Sequence, residues 1–324
     1  MNKKNVLTNA GGGGTVEQAF TMAEILLSLT IIGVVAAITL PSLTGNINER
    51  TWNTQRKALY ARFSQAIALM PALNGYGTVD DMTDTAAETF ITAGLAKVLK
   101  INNICDNEHL NDCGIASKLN TFTGSAISIP TTMHRLNGIF SQELNHNFPY
   151  SQVDTKAAAF ETANGESIAV YYYPYCRNSL ENSGVFDAQS RMCVNFVYDL
   201  NGSKGPNTVG KDIGFISVLY PSDSMVVAPE VLNLKIQSGA FTDASAYCKS
   251  QSDEARIPNR EELASIFYNE VLLGLNPANV NVIWSSSLTV SGGSTYAWTL
   301  GFDTGYFKQY SKSNTALKIL CVKR

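Results

Sequence analysis

Three groups of residues in this chain have types and spacings that chemistry requires: six cysteines, an oxygen-rich loop, and one carboxylate beside a long apolar run. The cysteines are Cys105, Cys113, Cys176, Cys193, Cys248 and Cys321. Their number is even and none stand as CxxC, so the close-spaced ligand pairs of a zinc site are missing. The simplest arrangement is sequential: Cys105–Cys113, Cys176–Cys193 and Cys248–Cys321. Sequence leaves other pairings open, and six buried reduced thiols are the alternative. The loop is DLNGSKGPNTVGKD, residues 199–212. Asp199, Asn201, Ser203 and Asp212 could offer side-chain oxygens to a hard cation such as calcium. The terminal Glu of an EF-hand loop is missing. A tight turn with Gly202 and Gly205 at positive φ accounts for the same letters. The carboxylate is Glu24, at the edge of the apolar run, where it needs a partner. His109, His134 and His146 lie apart, and no Ser/His/Asp or Cys/His set emerges, so the chain is not read as an enzyme.

Composition narrows the classes. The 324 residues are 45% hydrophobic and 16% charged, against a usual charged fraction of about 25%. Ample apolar surface excludes intrinsic disorder. Lys and Arg number 24 against 27 Asp and Glu, net −3. The basic surplus of a nucleic-acid binder is missing, so no nucleic-acid partner is expected. A charge-poor, Tyr-rich chain suits an extracellular surface.

The elements that position these groups begin at the N-terminus. Residues 1–19 are polar, with Lys3 and Lys4 near the start. Ile25–Leu43 is apolar over 19 residues, close to the ~20 that cross a bilayer as a helix. The preceding lysines favour a cytoplasmic N-terminus. A cleaved signal peptide and a plain signal anchor are the competing readings. Trp52, Arg56, Leu59, Phe63, Ala66, Ile67 and Met70 recur at spacings of three and four, which predicts an amphipathic helix stopped by Pro71.

The stretch AFTMAEILLSLTIIGVVAAITLPSL, residues 19–43, resembles the prepilin segment of type IV pilins and type II secretion pseudopilins. The resemblance implies that a prepilin peptidase cuts between Ala19 and Phe20 and N-methylates Phe20. The residue before the cut is usually Gly in that family; here it is Ala19. Glu24 then lies at mature position five, where it pairs with the Phe20 amine of a neighbouring subunit and fixes the filament register. Pro41 falls where many pilins carry a helix-disrupting proline, although it could simply end the membrane helix. The implied partners are the prepilin peptidase, other pilin or pseudopilin subunits and the inner-membrane assembly platform. The implied location is the bacterial inner membrane as a single-pass precursor, then an extracytoplasmic filament or the cell surface.

Residues 78–100 read as helix, and 167–174, 193–200 and 213–220 read as strands of an antiparallel sheet. From about residue 228 the composition shifts. Residues 242–250 and 260–269 suit short helices, the second with Asn259 as N-cap and Glu262 completing a capping box. Tyr247, Cys248, Arg256–Pro258, Glu261–Leu263, Trp284–Ser286, Trp298, Phe302, Gly305, Cys321 and Val322 are together similar to an Lcl-type, C-type-lectin-like module. The resemblance implies a glycan or surface-polymer ligand. Trp284, Trp298, Tyr306 and Tyr310 could stack on sugar rings, or the two tryptophans are core.

The expectation is therefore an α+β fold. A leader spans 1–19 and a long N-terminal hydrophobic helix 20–71, with 20–43 as membrane or filament core. A pilin-like globular domain with an antiparallel sheet follows at 72–227, then a C-type-lectin-like α+β domain at 228–324. The expected function is a structural subunit, minor or at the tip, of a type IV pilus or type II secretion pseudopilus. A membrane-anchored glycan-binding adhesin that does not polymerise is the alternative.

Overall fold

Residues 22–74, 87–129, 132–134, 154–172, 192–219, 224–227, 230–275, 280–291, 293–302 and 305–323 are described by a computed structural model. They fall in two units, Met1–Thr51 and Trp52–Arg324. The first helix, α1 (Met22–Asn74), runs through position 41 and three residues past Pro71. The amphipathic stripe of its second half is as the spacing predicts. Leu59, Phe63, Ile67 and Met70 are all at most 4% exposed.

That stripe lies on a six-stranded antiparallel sheet. Its order is β1 (Ile101–Cys105), β6 (Ala158–Thr162), β7 (Ser167–Tyr172), β8 (Met192–Asp199), β9 (Ile213–Leu219) and β10 (Ser224–Val227). Three of these strands match the predicted segments to within two residues. They do so because runs of β-branched and aromatic residues between turn formers are what a pleated, buried surface selects. Alternation sorts their side chains. Ile168, Val170 and Tyr172 of β7, with Val194 and Phe196 of β8, pack on α1, where Phe63 meets Phe196 edge-on at 4.9 Å. Ala169, Tyr171, Val197 and Phe215 point the other way.

On that second face lies α4 (Arg260–Tyr268), followed by α5 (Glu270–Leu273). Beyond them is a five-stranded sheet in the order β11 (Glu230–Ser238), β15 (Lys318–Lys323), β12 (Val282–Ser291), β13 (Ser294–Gly301) and β14 (Phe307–Ser311). Leu320 and Val322 of β15 join the shared core with α4, while Ile319 and Cys321 face α3 (Phe241–Gln251). Two short hairpins complete the strands: β2 (Lys118–Asn120) with β3 (Ala126–Ser128), and β4 (Thr132–His134) with β5 (Asp154–Lys156). Residues on both sides of position 228 thus share one core.

The expected fold class, α+β built on a long hydrophobic N-terminal helix, is corrected. Among the described residues the architecture is mostly β, with fifteen strands in four sheets. The helices after α1 run from three to eleven residues. No helix among the described residues is long and apolar enough to cross a membrane. Sheet dominates because most apolar residues beyond position 100 lie in short β-branched and aromatic runs separated by Asn, Gly and Ser, which suit strands better than helical faces. The single helix expected over 78–100 is also corrected. Its described part is a three-residue helical turn, α2 (Ala87–Thr89), then a π turn and a 3₁₀ turn ending at Lys97. Thr89, Ile91 and Thr92 are β-branched and Gly94 is flexible, so helix propensity there is low.

One polar network lies in the buried layer between the central sheet and α4. Asn195 of β8 and Asn269 exchange side-chain amide hydrogen bonds at 3.0 and 3.2 Å. Ser217 of β9 donates to Asn195 at 2.9 Å and meets Ser265 of α4 at 2.6 Å. All four residues are fully buried. Cutting one member leaves others unsatisfied, so Asn269→Ala is expected to cost ~2–3 kcal/mol in denaturant unfolding. Phe63→Ala, which opens a cavity under α1, is expected to cost ~3–5 kcal/mol.

Candidate functional site

The loop between β8 and β9 is built by its own backbone. Asp199 ends β8 opposite Ile213, which starts β9. Gly202 and Gly205 take φ of 65° and 74°, as the tight-turn reading requires, and Asn207 takes 48°. Asp212 is fully buried and holds the loop closed. Its two carboxylate oxygens accept the Asn207 and Thr208 amides at 2.9 Å, and its carbonyl accepts the Leu200 amide. From outside, the Arg56 guanidinium of α1 donates to the Gly210 and Lys211 carbonyls, both at 2.7 Å.

The loop interior is rich in oxygen. Asp199 is 4% exposed. One of its oxygens accepts the Asn201 amide at 3.1 Å, while Oδ2 has no hydrogen-bond partner. Asn201 donates its side-chain amide to the Gly205 carbonyl at 2.8 Å, which leaves Asn201 Oδ1 buried and unpartnered. Asn207 Oδ1 is buried and unpartnered as well. Burial, reinforced by the Asp212 charge, pushes the Asp199 carboxyl up to about 7, against the pull of the Asn201 and Gly202 amides. Ser203 is exposed on the 3₁₀ turn. Of the four cation ligands expected from sequence, Asp199 and Asp212 are buried, Asn201 is half-buried with its Oδ1 enclosed, and Ser203 is exposed. Sequence reasoning missed Asn207, whose signal was an Asn following Gly-Pro in a turn. Among the described residues no three His, Cys, Asp or Glu side chains gather as a metal site.

The other expected positions separate. Ala19 and Phe20 lie outside the described residues, as do the side chains of Glu24 and Pro41. On α1 near them, Leu26, Leu27, Leu29, Ile31, Ile32 and Val34 are 56–64% exposed. Trp284 is fully buried and its indole donates to the Gly239 carbonyl at 2.9 Å, so the expectation that it stacks on sugars is corrected. Only a site reachable from solvent can meet a sugar, and the Phe241 ring and its neighbours fill that space. Trp298 is half-buried beneath the Arg260 guanidinium, 5.0 Å from the ring centre. Tyr306 and Tyr310 are half-buried.

Cys105–Cys113 and Cys248–Cys321 are disulfides, as the sequential pairing has it. Cys193 is disulfide-bonded too; its expected partner, Cys176, lies outside the described residues. Such bridges persist in oxidising, extracytoplasmic compartments. The capping box is present: Asn259 accepts the Glu262 amide at 2.7 Å and Glu262 accepts the Asn259 amide at 2.9 Å. Glu262 also takes a two-pronged pair from Arg256, at 2.5 and 2.7 Å. His109 is exposed, as expected, and bonds Asp106 at 2.8 Å. No protein-family model and no curated protein matches the chain.

Glu270 is a buried carboxyl that sequence reasoning missed. It is 1% exposed with neither side-chain oxygen partnered, and burial pushes it up to about 8. A carboxyl raised in the folded state stabilises the fold most below its unfolded value near 4.5 and loses that contribution as pH rises through about 8. The wild-type melting temperature is therefore expected to fall between pH 5 and pH 8.5. Glu270→Gln, which keeps the neutral shape, is expected to flatten that fall by an amount on the order of 3 kcal/mol. Thermal melts of both proteins across that range check it.

Proposed function

We propose that the chain is a structural subunit of an extracytoplasmic filament of the type IV pilus or type II secretion pseudopilus kind. The observation that carries this is the exposed apolar surface of α1 from Met22 to Val34. Exposed apolar surface of that extent marks an interaction site. Further copies of the same helix are the occupants that fit, because apolar residues lie on every side of it rather than along one stripe, as the core of a helical bundle requires. Gly33 has open space around it and permits close approach between helices.

In this reading, prepilin peptidase removes residues 1–19 on the cytoplasmic face and methylates Phe20. The precursor stays at the inner membrane until the assembly platform extracts it. Glu24 then meets the Phe20 amine of a neighbour, because an unpaired carboxylate in an apolar bundle is strongly unfavourable. Pro41 removes one backbone hydrogen bond and lets the helix bend during packing. The disulfides suit the compartment into which the body of the protein then projects. The bulk beyond residue 228 favours a minor or tip position, and the half-buried Trp298, Tyr306 and Tyr310 are candidate aromatic contacts for a glycan or surface polymer.

Mass spectrometry of the mature protein from a host with a working prepilin peptidase is expected to give N-methyl-Phe20 as the first residue. An intact leader, or a cut after residue 43, would overturn the proposal. Glu24→Ala is expected to insert in the membrane at wild-type level and to be absent from sheared filaments. Normal filaments from that variant would refute the pairing.

A further inference from the structure

We infer that residues 288–291 of β12 form a pairing edge for a second copy of this chain. Beyond α1, Leu288 and Val290 are the exposed large apolar side chains among the described residues, at 50% and 72%. They stand two apart on one strand, so they share one of its faces. The register of β12 against β15 is the single pair Ile283 and Lys318. After that pair, the start of α4 meets the edge of β12. Ser286 donates its amide to the Pro258 carbonyl at 2.7 Å, and Ser287 Oγ accepts the Arg260 amide at 3.2 Å. Residues 288–291 run past both contacts as a two-stranded ribbon with residues 294–297 of β13.

Register decides which backbone groups are left over. Ser291 and Ser294 close a two-residue loop, so they exchange the hydrogen bonds next to the turn. Hydrogen-bonded and non-hydrogen-bonded pairs alternate along an antiparallel ladder, so Thr289 and Tyr296 exchange the next set. Leu288 and Val290, opposite Ala297 and Thr295, therefore aim their amides and carbonyls away from β13. Among the described residues no strand meets them on that side. A row of unmet backbone donors and acceptors is a template for another strand.

Charge selects the occupant. Exposed edges are usually guarded by charged residues or proline. The outer strands of this sheet are guarded in that way, β14 by Lys308 and β11 by Glu230 and Lys235. The sequence holds no Asp, Glu, Lys, Arg or His between Glu270 and Asp303. A two-fold contact brings each residue near its own copy, so any charge at its centre meets its like. A neutral edge meets itself without that opposition. Antiparallel pairing centred on Thr289 uses every outward backbone group. Leu288 then exchanges hydrogen bonds with the partner's Val290, and Val290 with the partner's Leu288. The four aliphatic side chains fall on one face and cover one another, and Thr289 meets its own copy on the other face. Four residues per copy bury far less than a standard interface, so the contact is a weak one made where copies are crowded.

The test uses the full chain in detergent. Thr289→Cys is expected to give a disulfide-linked dimer on mild oxidation, with peptide mapping placing the bond at position 289 in both copies. Adding Val290→Lys, at an exposed position where the fold loses nothing, is expected to slow that crosslink severalfold and leave the melting temperature unchanged. Lys308→Cys, on the guarded edge, is expected to stay monomeric under the same oxidation. In the wild-type chain, hydrogen exchange at the Leu288 and Val290 amides is expected to slow as protein concentration rises. No crosslink at position 289, an equal one with Val290→Lys or at position 308, or exchange independent of concentration overturns the pairing. Association through α1 leaves all of these readouts unmoved, so failure here is distinct from failure of the filament reading.

Discussion

The central sheet is covered on both faces, and that constraint governs the second unit of this protein. The second half of α1 covers one face and α4 the other, so each strand between them must be apolar on both sides. A sheet buried twice cannot spare a polar side chain unless that side chain is paired. Asn195 and Ser217 face each other across β8 and β9 and meet Asn269 and Ser265 at the end of α4. The network therefore fixes where α4 sits along the strands. Apolar packing alone tolerates sliding; reciprocal amide bonds do not.

Ion pairs reinforce the same placement at the edges of the layers. Arg62 of α1 pairs with Glu166, which also takes the Thr162 hydroxyl, at the turn between β6 and β7. Arg56, six residues earlier, caps the carbonyls of the β8–β9 loop. The two arginines carry their charge to backbone carbonyls and to a carboxylate at the edges of the sheet. In the C-terminal half, Arg256 and Glu262 lock the start of α4 through the capping box. The Cys248–Cys321 bridge ties α3 to β15 on the far side of the second sheet. Stability is thus spread over apolar layers, with polar groups setting their register.

The β8–β9 loop shows the two kinds of legibility side by side. Its glycines and its aspartates could be recognised as turn formers and oxygen donors in the letters alone, because positive φ and carboxylate chemistry belong to single residues. Which oxygens end up without partners depended on how the loop closes. Ser203 turned outward and Asn207 inward, and that exchange follows from Asp212 holding the Asn207 and Thr208 amides. Trp284 illustrates the same limit: its sequence context is compatible with a sugar platform, but α3 and its ring neighbours enclose it.

Sequence by itself determined the local items: the capping box at Asn259, the amphipathic stripe from Leu59 to Met70, and three strands of the central sheet. Each of these rests on spacing or propensity over a few residues. Tertiary structure alone decided that strands dominate, that residues before and after position 228 share one core, and that Glu270 is buried without a partner. Those outcomes depend on which surfaces meet across long stretches of chain. Periodicity along the chain can say which face of an element is apolar, but not which other face will cover it.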